Sequence, residues 1–92
     1  MADDPVILVE NLIDDVIDLN LQQGIENSLD AKLEAASNAL ADLNENNDVA
    51  AINSLQAFIN TVEAQRGQDL TDELADELVE RAQAIIDSLS AS

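Results

Sequence analysis

The chain has no cysteine and no histidine, no tryptophan or tyrosine, and a single aromatic residue, Phe58. Without cysteine there is no disulfide framework, no thiolate nucleophile and no clue to redox compartment. Without histidine the usual general base is missing, and so is the ligand that completes the di-metal sites of helical bundles. Glycine occurs twice and proline once in 92 residues. That leaves no flexible or proline-rich linker and makes one domain the default. Basic residues are scarce as well: Lys32, Arg66 and Arg81 stand against 20 acidic residues, for a formal net charge of −17 at pH 7. A phosphate backbone would be repelled and would find no basic patch to release its counterions, which excludes nucleic acid as a partner. The same field disfavours an anionic membrane surface. No apolar run approaches the roughly 18 residues of a membrane-spanning helix, and "VILV" at Val6 to Val9 is bracketed by acids rather than led by a basic segment. Neither an anchor nor a signal peptide is therefore expected, and the opening "MADD" fits a small cytoplasmic protein or one domain cut from a larger secreted one.

What is present is aliphatic. Apolar residues make up 47% of the chain, and with one aromatic the core must be built from Leu, Ile, Val and Ala, a composition that suits helices packed on helices. Val9, Leu12, Ile13, Val16, Ile17 and Leu19 follow helical spacing while Glu10, Asp14, Asp15 and Asp18 take the other face, giving a helix over about residues 6–20. Gly24 then reads as a turn or C-cap. A second helix over about 27–43 carries Leu29, Leu33, Ala36, Leu40 and Leu43, with Asn27 or Ser28 as its N-cap. A third, over about 49–66, places Ile52, Leu55, Ile59 and Val62 on one stripe with Phe58 beside them, starts at Asn47 or Asp48 and stops at Gly67. The fourth, over about 72–89, follows the N-cap Thr71, has acids in its first turns and buries Leu74, Leu78, Ala82, Ile85 and Leu89. Connections of about five to seven residues favour antiparallel neighbours, so the expected fold is an all-α, up-and-down four-helix bundle, monomeric because its narrow stripes cover one another. Leu12, Val16, Leu33, Leu40, Ile52, Leu55, Ile59, Leu78 and Ile85 are the expected core.

Three groups of residues invite a chemical reading. In "DLNENNDVAAIN", the oxygen-bearing side chains of Asp42, Asn44, Asn46 and Asp48 alternate as in a calcium loop. Asn47 stands where the sharp turn needs glycine, however, and Ala50 and Asn53 occupy the ninth and twelfth positions, the latter where a bidentate glutamate belongs. The stretch therefore reads first as a turn with capping residues, and only secondarily as a weak calcium site. The second group is "ENSLDAKLE", a serine at a helix start followed by Leu-Asp. It resembles the acyl carrier proteins, which would make Ser28 an attachment point for phosphopantetheine. Asn27 replaces their aspartate and the preceding connection is short, so an ordinary serine cap is the preferred reading. The third group comprises the carboxylate pairs Asp14 with Asp18 and Asp72 with Asp76. Tuned acid–base or metal chemistry needs a dry pocket that so small a core hardly encloses, and these pairs read as solvated charge. No catalytic residue, cofactor or metal ion is assigned, and the chain is not expected to be an enzyme.

The segments "LIDDVIDLNL", "GIENSLDAKLEAA", "LQAFINTVEAQRG" and "LADELVERAQAII" together resemble the FIMAH domain, from about Leu12 to Leu89. That domain is a helical module appended to large secreted or cell-surface proteins of bacteria and archaea, including hydrolases and adhesin-like chains. The resemblance implies a non-catalytic accessory module outside the cell, with the parent multidomain protein and another protein or cell-surface component as partners. It carries no catalytic residue set. The acid-rich, lysine-poor composition also resembles that of halophilic proteins, since dense carboxylates repel one another until cations screen them. A merely soluble acidic domain is the equal alternative.

Overall fold

The computed structural model describes residues 5–19, 21–41 and 48–90. Four helices account for most of them: α1 (Pro5–Asp18), α2 (Gln23–Ala41), α3 (Asp48–Gln65) and α4 (Asp72–Ser90). The chain is all-α. Its helices α1 and α2, α2 and α3, α3 and α4, and α4 and α1 are close neighbours, whereas the backbones of the diagonal pairs stay further apart among the described residues. The result is a ring of neighbours measuring 38 × 21 × 21 Å, about 10 Å longer than the roughly 28 Å of a helix of about 19 residues at 1.5 Å per residue.

Helix α1 begins at Pro5, where a missing N–H costs nothing because the first helical donors have no partner in any case. It buries Val9, Leu12 and Val16 completely and ends as the Leu19 amide donates to the carbonyls of both Asp15 and Val16, at 3.1 and 3.2 Å, tightening the last turn. Helix α2 starts at Gln23, several residues before the expected 27, and Gly24 lies in its first turn instead of in a connection. The cause is apolar spacing: Ile25, Leu29 and Leu33 form one i, i+4, i+8 row, with Ile25 packed against the buried core, and burying that row offsets the helical cost of Gly24. The Glu26 amide closes this turn on the Gln22 carbonyl at 2.9 Å. Asn27 and Ser28 are accordingly interior positions of α2 and not its caps. Only residues 19–22 separate α1 from α2, a tighter link than expected, and the expected end of the second helix near 43 lies outside the described residues.

In α3 the fully buried positions are Ala51, Leu55, Phe58 and Val62. The stripe is rotated by one residue from the expected Ile52, Leu55, Ile59 and Val62. Both sets obey helical spacing; Ala51 allows close approach, and the single large aromatic takes the centre. Ile52, Ile59, on α2 Leu40 and, on α4, Leu74 are only partly buried, packed against the edge of the core. The other expected core residues, Leu12, Val16, Leu33, Leu55, Leu78 and Ile85, are buried as read. No charged or polar residue among those described is buried as a whole.

The α3–α4 connection is a turn closed by its own backbone hydrogen bonds. Gly67 has φ +79°, a left-handed conformation that costs glycine nothing and ends α3. Its amide donates to the Leu70 carbonyl at 2.8 Å, and the Leu70 amide donates to the Gln65 carbonyl at 3.2 Å. This closed turn drops Leu70 wholly into the core, a residue that helical periodicity could not reveal because it belongs to no helix. Thr71 then caps α4 as expected: its Oγ1 accepts from the Leu74 amide at 3.2 Å, and its carbonyl accepts from the Ala75 amide at 2.9 Å.

Candidate functional site

Of the calcium-loop residues, Asp42, Asn44 and Asn46 lie outside the described residues. Asp48 is the first residue of α3, and its side chain also lies outside them. Ser28 sits in the second turn of α2, partly buried, with its Oγ accepting from Lys32 Nζ at 3.1 Å one turn further on. Asp14 and Asp18 are both exposed on α1. Asp72 and Asp76, by contrast, are drawn together by a cation that sequence reading left unassigned.

That cation is Arg66. Its Nε and Nη2 donate to the two carboxylate oxygens of Glu63, each at 2.9 Å, in a bidentate fork. Nη2 also lies 2.7 Å from Asp76 Oδ1 and Nη1 lies 3.9 Å from Asp72 Oδ1, while Nη1 donates to the Asp72 carbonyl at 3.3 Å. The position follows from the chain: Arg66 stands directly before the Gly67 turn, three residues after Glu63 and just ahead of the acidic first turn of α4. The fork from Arg66 holds the Glu63 carboxyl below the usual glutamate range, and Glu63 and Asp76 together hold the guanidinium above its ordinary value. The signal available in the sequence was the scarcity itself, since three basic residues among 20 acids each have a choice of partners.

Arg81 makes the second link. It pairs with Asp15 across the α1–α4 seam. The seam is the thinnest of the four, and it carries two hollows that share Arg81. One, of about 240 Å³, is lined by Asp15, Asp18, Leu19, Leu74, Glu77, Leu78 and Arg81. The other, of about 140 Å³, is lined by Leu8, Arg81, Ala84 and Ile85. Sequence reading missed these hollows because they arise from two helices far apart in the chain.

On α2 a third feature stands out. Asp30 Oδ1 is shut off from solvent and finds no hydrogen-bond partner among the described residues. Burial, and then the charges of Glu26 and Glu34 one turn to either side, push the Asp30 carboxyl above the ordinary aspartate range. Among the described residues no three acidic side chains cluster closely enough to hold a metal ion, and no helix is long and apolar enough to cross a membrane.

Fold and surface together define a small all-α domain with an aliphatic core, exposed carboxylates and arginines used as ties between helices. The chain belongs to the FIMAH domain family, whose model matches residues 9–87. The match confirms the resemblance in the four helical segments and begins a little earlier, at Val9. The family is one of small helical accessory domains and is not a known enzyme family. No curated protein and no solved structure matches the chain.

Proposed function

We propose that this domain is a non-catalytic interaction or spacer module of an extracellular modular protein, folded as an antiparallel up-and-down bundle. The observation that carries the reading is the family match, which takes in 9–87 of 92 residues. The up-and-down path is supported by the α1–α4 seam. There Leu8, early in α1, shares a hollow with Ala84 and Ile85, late in α4, while Asp18 and Leu19 share one with Leu74 and Glu77. A domain of this kind works as a monomer, because its apolar stripes cover one another. Its acidic surface suits a salt-rich medium, in which cations screen carboxylates that the three basic residues cannot neutralise.

The test is the neighbouring sequence in the intact gene. An export signal and large domains joined to this one support the module reading, and a free-standing reading frame overturns it. The acyl-carrier alternative is tested separately, by mass spectrometry after incubation with broad-specificity phosphopantetheinyl transferases. No adduct on Ser28 is expected, since the hydroxyl lies inside α2 and already accepts from Lys32.

A further inference from the structure

We propose that the α1–α4 seam is a docking groove for a basic amphipathic peptide segment of a partner protein. The two hollows lie end to end along the seam with Arg81 as their common wall. The first has the apolar floor Leu19, Leu74 and Leu78 under the carboxylates of Asp15, Asp18 and Glu77, and the second is walled by Leu8, Ala84 and Ile85. An apolar floor beneath carboxylates accepts the side chain of lysine or arginine, whose methylene stem lies on leucine while its charged head meets acid. An apolar hollow beside it accepts a leucine or isoleucine of the same segment. From Leu8 to Leu19 along α1 the groove runs about 16 Å, the rise of roughly eleven helical residues, which matches a short peptide.

The charge balance selects this occupant. Among the described residues Arg81 is the one cation lining either hollow, and it is already engaged by Asp15, so Asp18 and Glu77 are free to meet an incoming cation. A second copy of the chain would bring another formal charge of −17 against the same carboxylates. A bare divalent cation lacks the necessary cage, since no three acidic side chains cluster among the described residues. The thin seam also gives the groove its adaptability, because α1 and α4 pack on each other less extensively than any other neighbours. The proposal rests on the interaction-module reading and deepens it by naming the chemistry of the partner.

The experiment measures binding of fluorescein-labelled peptides of about twelve residues to the full chain by anisotropy, in roughly 0.15 M salt. One probe alternates leucine with lysine, one replaces leucine by glycine and one replaces lysine by glutamate. Saturable binding of the leucine–lysine probe alone is expected. Asp18→Asn with Glu77→Gln should weaken it about tenfold, against less than about twofold for Glu34→Gln with Asp87→Asn, an equal charge change at residues that line neither hollow. Equal losses in the two double variants, or equal binding of the lysine–glycine probe, would mean diffuse attraction and overturn the proposal. Self-association of the chain that disappears in the Asp18 and Glu77 variant would give the groove to a second copy and overturn it too. Failure of all probes with a gene context that joins the domain to exported partners sinks the groove alone; binding in a free-standing protein sinks the module reading alone.

Discussion

Arg66 and Asp76 meet across the Gly67 turn, Nη2 to Oδ1 at 2.7 Å, so that the cation ending α3 neutralises the acidic opening of α4. Asp72, Asp76 and Glu63 would otherwise crowd one another. Replacing Arg66 by glutamine should lower the melting temperature by a few degrees, and the loss should shrink in about 1 M sodium chloride, where exposed charges are screened. A double-mutant cycle with Asp76→Asn should show coupling between the two. Independent effects of the two substitutions would mean that the contact contributes nothing in solution.

Which parts of this architecture were legible in the sequence follows from which physical signals are local. The helices were readable because aliphatic spacing and the Thr71 cap are encoded within a few residues. Rotation of the α3 stripe was not, since Ile52 and Ala51 both satisfy the period and only the packed neighbours decide between them. Leu70 escaped because a buried loop residue has no periodicity. The Arg81–Asp15 tie and the hollows around it were out of reach because they join α1 to α4, with Asp15 and Arg81 standing 66 residues apart.

Helix α3 provides the sharpest test of the packing. Phe58 and Leu55 have no exposed surface, whereas Ile59 is partly buried. Leu55→Ala and Phe58→Ala should cost about 2–5 kcal/mol each, a large share of a small domain's stability, and Ile59→Ala clearly less. Urea unfolding would measure all three. An Ile59→Ala loss equal to that of Phe58→Ala would rotate the stripe back toward the sequence expectation.

The two glycines should respond to alanine with opposite signs. Gly24 lies in the first turn of α2 with nothing within 4 Å of an added Cβ, so Gly24→Ala should stabilise by about 0.5–1 kcal/mol through helix propensity and a less free unfolded chain. At Gly67, φ of +79° makes the same change strained whatever the space, and Gly67→Ala should destabilise by about 1 kcal/mol or more. Thermal melts of the pair decide it; a stabilising Gly67→Ala would contradict the left-handed turn.

Asp30 contributes a pH dependence whose sign follows from the direction of its shift. Its carboxyl is held above the ordinary aspartate value of 3.8 by burial and by Glu26 and Glu34. The folded state therefore binds this proton more tightly than the unfolded state does. Stability from this group is fullest below pH 3.8 and declines as pH rises through the folded value. Asp30→Asn should therefore raise the melting temperature at pH 7, and its advantage should diminish as the wild-type carboxyl becomes protonated in acid. An advantage independent of pH would assign the gain to something other than the charge.

Calcium and salt must be separated, because both would stabilise so acidic a domain. If dispersed carboxylate repulsion is the cause, sodium chloride raises the melting temperature gradually over the molar range as the Debye length falls from about 10 Å at 0.1 M to about 3 Å at 1 M. Asp42→Asn with Asp48→Asn then behaves like any two surface neutralisations. If the stretch from Asp42 to Asp48 is a ligand loop, calcium at micromolar to millimolar levels stabilises at fixed ionic strength by mass action, and that double substitution abolishes the effect. Repulsion is the expected result, because Asn47 and Asn53 stand where a calcium loop needs glycine and glutamate. A saturable response to calcium that magnesium at equal ionic strength does not reproduce, and that disappears in the double variant, would instead make this loop a calcium site.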